Sequence, residues 1–219
     1  MKQTLTLEIP TTWKDVTLKQ YLALQADLEA YRDEEEAQVA LMLHHLCGLE
    51  PEYIKGLSSE SYLKLKSRLA EFISPETIEL QPFVTIDGTE YGFEPNLSKM
   101  AYGAYADITQ YDTIQIDKNW AKIMSILYRP VTNKKGKMYS IRPYDGDIEE
   151  TKWLGVNMEV HWGALFFFVH LQTDLLKDML NSLKEVELPH NMRSILQRSG
   201  ELIQLSFNSP MERLRKSMK

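Results

Sequence analysis

The chain is poor in the residue patterns that build reactive centres. Its 219 residues include one cysteine, Cys47, which excludes an intrachain disulfide and any CxxC metal or redox pair. It holds no GxxxxGK[ST] phosphate cradle, no GxGxxG after a strand, no GxSxG elbow and no HExxH. The common nucleotide-binding, hydrolase and zinc-protease devices are therefore missing. Long hydrophobic runs are missing too: the most apolar, residues 162–171, covers ten residues, about half of the ~20 that a membrane helix needs. Residues 1–8 carry no apolar segment of the signal-peptide kind. The expectation is a protein with no cofactor, no metal and no membrane span, suited to a reducing compartment.

What is present is an ordinary globular composition, 43% hydrophobic and 26% charged, with four Trp, eleven Tyr and seven Phe to fill a core. The net charge of −6 is spread unevenly. Residues 190–219 hold six Arg or Lys against two Glu, so the remainder carries −10. An acidic body with a basic tail points to a protein partner more than to a polyanion.

Along the chain, Leu5, Leu7 and Ile9 alternate with polar residues before Pro10, which predicts a half-buried strand over 3–9. Thr17 and Gln20 form a capping box, flanked by a Val16–Tyr21 staple, at the head of a helix that carries Leu18, Leu22, Leu24 and Leu28. The acidic run at 33–36 suits the N-terminus of a second helix, which Gly48 ends. A helical turn at 50–57 follows, then a helix from Ser58 or Ser59 to Phe72. Ser74 and Pro75 close it. Asp87-Gly88 between β-branched and aromatic residues is the strongest hairpin signal, over 83–93. Residues 96–117 predict a helix with an irregular exit.

Trp120, Ile123, Met124 and Leu127 then lie on one face of a helix, which Pro130 ends by disfavouring helical geometry at Arg129. A Lys-Gly turn leads to an extended run and a second Arg-Pro pair. Asp147 and Glu150 cap a short helix through Trp153, and the longest helix runs from 158 to 186, bent near Gly163 or Thr173. Helices over 192–207 and 210–218 complete the chain. The fold class is mainly α with a small β component: a helical array plus a β-hairpin. A division into 1–75 and 76–219 is the candidate domain arrangement, with a single domain as the alternative.

Few groups offer chemistry. His44 and His45 are adjacent in sequence, so they cannot clamp one ion in the i, i+4 manner. The acidic run at 145–150 lacks the twelve-residue ligand spacing of an EF-hand. With Lys152 it loosely matches a nuclease E-x-K element, but a solvated turn at a helix start is the plainer reading. Arg129 and Arg142 stand before prolines on stiff backbone, where a guanidinium can grip a carboxylate of a partner or of the protein's own acidic body. Tyr144 is presented by the same loop. In the tail, Arg213, Arg215 and Lys216 lie on an amphipathic stretch that can dock in a partner's groove or lie on DNA. A solvated terminal helix is the alternative.

Residues 41–62, with Gly48-Leu49, a short turn to Leu57 and a helix leading to Phe72, resemble the helical part of tailed-bacteriophage tail assembly chaperones. The stretches from Ile126 to Gly146 and from Gly163 to Phe167 are similar to small proteins encoded among the structural genes of tailed phages, including crAss-like phages. The resemblance implies a non-enzymatic assembly protein that binds another phage structural protein in the host cytoplasm. Its alternative is a permanent virion component (tail, collar or packaged cargo) whose basic tail touches DNA or a neighbouring subunit. A metal-dependent nuclease stands third.

Overall fold

The computed structural model describes residues 7–31, 34–73, 78–113 and 115–184. They fall into two compact units. Of the described residues, the first holds those up to 73 together with Leu154–Glu159, and the second holds 78–153 and 160–184. The fold is α+β: eight α-helices and one four-stranded antiparallel sheet among the described residues.

The first unit is helical. A turn of 3-10 helix at Trp13–Asp15 leads into α1 (Leu18–Ala30). Thr17 caps α1: its hydroxyl accepts from the Gln20 N–H, and Gln20 Oε1 accepts in return from the Thr17 N–H at 2.9 Å. Two of the orphan N–H groups at this helix start are thereby satisfied. Helix α2 (Glu35–Cys47) stops where Gly48 takes φ +66°, a left-handed conformation that costs glycine nothing. The short α3 (Pro51–Lys55) and the longer α4 (Ser59–Phe72) follow, with Ser58 Oγ capping α4. Buried Leu18, Tyr21 and Leu24 of α1 and Val39, Met42 and Leu43 of α2 form the core, and Trp13 lies against Phe72 with ring centroids 4.6 Å apart. His45 Nε2 meets Asp27 Oδ2 at 2.6 Å, tying α2 to α1.

The predicted strand over 3–9 is corrected in part. Residues 7–10 have no strand structure, and residues 3–6 lie outside the described residues. Alternation supplies a face, but a strand also needs a neighbour to take up its backbone groups, and none of the four strands pairs there.

The second unit is built on the sheet. Strands β1 (Phe83–Ile86) and β2 (Thr89–Phe93) form the predicted hairpin, with Asp87 at φ 49° and Gly88 at φ 78°. Positive φ at both central residues is the turn that matches the natural twist of a hairpin. After α5 (Tyr102–Ile108), helix α6 (Trp120–Leu127) carries the expected apolar face and is buried almost throughout. It ends one residue earlier than Pro130 alone predicts, because Tyr128 and Arg129 already pair with Phe93 and Gly92 as the start of β3 (Tyr128–Lys135). A turn at Gly136, φ 60°, returns the chain along β4 (Met138–Ile141) in the order β1-β2-β3-β4. Among the described residues, the segment over 96–117 gives the seven residues of α5 and a 3-10 turn at Leu97–Lys99.

Helix α7 (Glu150–Leu154) precedes α8 (Met158–Lys184). Trp162, Leu165, Phe168 and Val169 of α8 are buried. Gly163 permits a close crossing: a Cβ there would stand 2.4 Å from the Glu79 carbonyl oxygen, so the chain at 79–80 passes directly over the helix. The helices expected over 192–207 and 210–218 lie outside the described residues. Among the described residues no helix is long and apolar enough to cross a membrane.

Candidate interaction site

The predicted site residues of the central loop come together at the end of the sheet. Pairing of Gly92 with Arg129 brings the end of β2 beside the start of β3, and the Glu94 N–H donates to the Leu127 carbonyl at 2.8 Å. That register sets Glu94 within reach of Arg129, whose Nη2 donates to Glu94 Oε2. Both side chains are buried, with Arg129 6% and Glu94 9% exposed. Arg129 thus grips the protein's own acidic body and is turned away from any partner. Its guanidinium also lies 5.9 Å from the Tyr144 ring centroid, inside cation–π range.

Tyr144 packs beside α5 and donates its hydroxyl proton to Asp107. Burial, then that hydrogen bond and the nearby carboxylate charge, push the phenol well above its ordinary range. It is a fixed donor, not an acid for turnover. Arg142 is half-exposed, and its Nε stands 3.8 Å from Asp145 Oδ2, beyond direct hydrogen bonding. The three predicted side chains therefore share a neighbourhood, but only Arg142 and part of Tyr144 face outward. Arg213, Arg215 and Lys216 lie outside the described residues.

Arg129 and Arg142 line one small recess with Tyr91, Ser125, Tyr144 and Asp145, of about 10 Å³. That is room for a single water-sized atom. Arg129 Nε and Arg142 Nε are buried and meet no acceptor among the protein atoms. A buried donor left unmatched costs ~1–3 kcal/mol.

The acidic run at 145–150 is tied into local structure. The Glu149 N–H donates to Ser125 Oγ at 2.9 Å, and Lys152 Nζ meets Glu149 at 2.8 Å and the Tyr91 hydroxyl at 3.3 Å. The hydrogen bonds to Glu149 and Tyr91 hold the Lys152 ammonium charged, above its ordinary pKa. An ammonium kept charged in this way is a poor proton acceptor. In the helical unit, His44 Nδ1 lies 3.1 Å from the Leu49 carbonyl while His45 faces Asp27. Among the described residues no group of His, Cys, Asp and Glu is arranged to hold a metal ion.

Glu94 and Asp107 are the side-chain partners of Arg129 and Tyr144 that sequence reasoning missed. Neither stands in a local motif, and each meets its partner across more than thirty positions of chain. Tyr102 and Tyr105 were also missed. They are i, i+3 neighbours on α5, 83% and 59% exposed, and a helix presenting two large rings to water was foreshadowed only by the Tyr-Gly-Ala-Tyr spacing.

No protein family, no curated protein and no solved structure matches the chain.

Proposed function

We propose that the chain is a non-enzymatic bacteriophage assembly protein that binds another phage structural protein, in the manner of a tail assembly chaperone. The observation that carries the reading is the outer face of α5, where Tyr102 and Tyr105 stand exposed. Tyrosine gives large contact area at small entropic cost and is enriched, with arginine, at the residues that dominate interfaces. Half-exposed Arg142 adds a cation that can find an acidic or polar group on the partner. The mechanism is burial of apolar surface on a folding or assembling subunit, with the acidic body keeping the complex soluble and selective. The helix, glycine stop, short turn and helix of the resembling segment correspond to α2, Gly48, α3 and α4, which supports the same reading.

The alternative is a permanent virion component. The basic balance of residues 190–219 favours it, since such a tail can contact DNA or a neighbouring subunit. Mass spectrometry of purified particles, paired with deletion of the gene, separates the two. A chaperone is absent from particles and its loss stops assembly, whereas a component is found in them. A protein absent from particles whose deletion leaves assembly intact sinks both readings. Replacing Tyr102 and Tyr105 together by alanine is expected to weaken partner binding by about tenfold or more, with thermal unfolding changed by no more than ~0.5 kcal/mol.

A further inference from the structure

The outer edge of β4 is a rim of the sheet with its ladder groups unmatched. We propose that this edge takes an extended, acidic segment of the partner protein by strand addition, with the acidic end of that segment over the turn at Gly136. The inference rests on the protein-binding reading above and names the surface used and the chemistry of what it binds.

Register and hydrogen bonding define the edge. In an antiparallel strand, alternate residues turn both main-chain groups to the same side. The Arg142 N–H donates to the Pro130 carbonyl at 2.8 Å, the Ser140 carbonyl accepts from Thr132 Oγ1 at 3.2 Å, and Met138 stands opposite Lys135 across the turn. Residues 138, 140 and 142 therefore face β3, and the N–H and C=O groups of Tyr139 and Ile141 face away from it. β4 ends the strand order, and among the described residues nothing bonds to those four groups. Packing holds the edge before a partner arrives. Tyr139 and Ile141 lie over Gly92, where a Cβ would stand 2.9 and 3.0 Å from them, and the Tyr139 hydroxyl donates to the Phe93 carbonyl at 2.7 Å. A strand fixed in this way loses little freedom on binding. Met138, 74% exposed, and exposed Ser140 leave the opposite face of the strand open to an incoming neighbour.

Charge selects the occupant. Lys134 is taken up by Glu90 at 2.7 Å, but Lys135 and Lys137, both exposed, meet no carboxylate among the described residues. Beyond Arg142 the other end of the strand carries exposed Asp145 and Asp147, so incoming acids belong at the turn. Two copies of this chain, paired antiparallel over β4, would set Lys137 of each against Arg142 of the other, and like charges opposed across strands destabilise the pair. The chain's own residues 190–219, with six Arg or Lys against two Glu, share the sign of the turn. Residues 132–138 include no aromatic ring on which a base could stack. An extended carboxylate-bearing segment meets the lysines and the ladder groups together.

The edge amides report directly by NMR. The full-length protein, labelled with 15N, is titrated with short synthetic peptides of alternating Val and Thr that carry Glu-Glu at the N- or the C-terminal end. One of the two is expected to shift the Tyr139 and Ile141 amide resonances along one saturating curve and to slow their exchange with water. N-methylation of alternate peptide amides should abolish the curve, and a Lys-Lys version should bind about tenfold more weakly. Lys135→Glu with Lys137→Glu, on an exposed turn where folding is left intact, should reverse that preference. The inference is overturned if neither acidic peptide saturates, or if the N-methylated peptide binds as well, which leaves charge without strand pairing. It is also overturned if the Lys-Lys peptide binds equally, if the double variant keeps the original preference, or if a short DNA duplex shifts the same amides at lower concentration. These outcomes bear on the β4 edge alone. The particle experiment decides the assembly reading independently.

Discussion

The helix caps of the helical unit close over short stretches of chain, whereas the buried polar contacts around the sheet close over long ones. Thr17 and Gln20 cap α1 across three residues, and Ser58 caps α4 across three. In the sheet unit Arg129 reaches Glu94 across 35 residues, Tyr139 donates to the Phe93 carbonyl across 46 and Tyr128 to the Gln81 carbonyl across 47. Burial singles out one ion pair of the sheet unit. Most ion pairs of the helical unit are at least partly exposed, as between Lys64 and Glu60, and such pairs contribute ~0–1 kcal/mol. The Arg129–Glu94 pair is buried on both sides, where removing one partner strands a charge. Local devices make many small contributions; the long-range ones concentrate the cost of damage at a few positions.

That contrast breaks most clearly at Arg129. Arg129→Ala is expected to cost ~3–5 kcal/mol in urea unfolding, with amide exchange rising first in β2 and β3. Replacing Arg129 and Glu94 together by leucine should recover most of the loss; a double variant as unstable as the single one would mean the pair is needed for more than charge balance. Next in size is Gly163→Ala. The added Cβ collides with the Glu79 backbone, so a loss of about 1–3 kcal/mol is expected, although alanine is the better helix former by ~1 kcal/mol. In the helical unit Thr17→Ala should cost about 1 kcal/mol in thermal unfolding. A loss as large as that at Arg129 would erase the distinction between the units.

The smallest effect concerns pH. Asp15 accepts from the Thr11 and Thr12 N–H groups at 2.9 and 3.1 Å, and these hydrogen bonds hold its carboxyl below the ordinary 3.8. Because the folded value is depressed, the carboxylate's stabilisation is present above the unfolded pKa and lost as pH falls through the folded one. Asp15→Asn should therefore lower stability slightly at neutral pH, with the difference from the unsubstituted protein vanishing as pH falls below about 4, as followed by circular dichroism.

The same divide explains what could be read in the sequence. The Thr17 capping box, the Gly48 stop and the Asp87-Gly88 turn are written within a few residues of chain, and the structure places each where the pattern predicts. The α+β class and the apolar face of α6 followed from the same local signals. For residues 7–9 of the strand predicted over 3–9 no strand followed, since a period-two pattern does not say whether a neighbouring strand exists. Arg129 was legible as a rigidly held guanidinium, but its partner was not. Nothing near Glu94 marks it until β2 and β3 are paired in register. The outward aromatic residues of α5 were hidden for the opposite reason: tyrosine is common in cores, and only burial distinguishes a ring inside from one outside.

The crossing at Gly163 also bears on how this molecule's kin are to be found. With the backbone of residue 79 lying on that helix, a chain that keeps the crossing is under pressure to keep glycine there, however far its surface has drifted. A search seeded with overall similarity gives such a position no more weight than any of the two hundred others. One that demands a glycine on the long helix, an Asp-Gly hairpin before it and an arginine paired to an acid just past that hairpin follows the constraints that backbone geometry enforces.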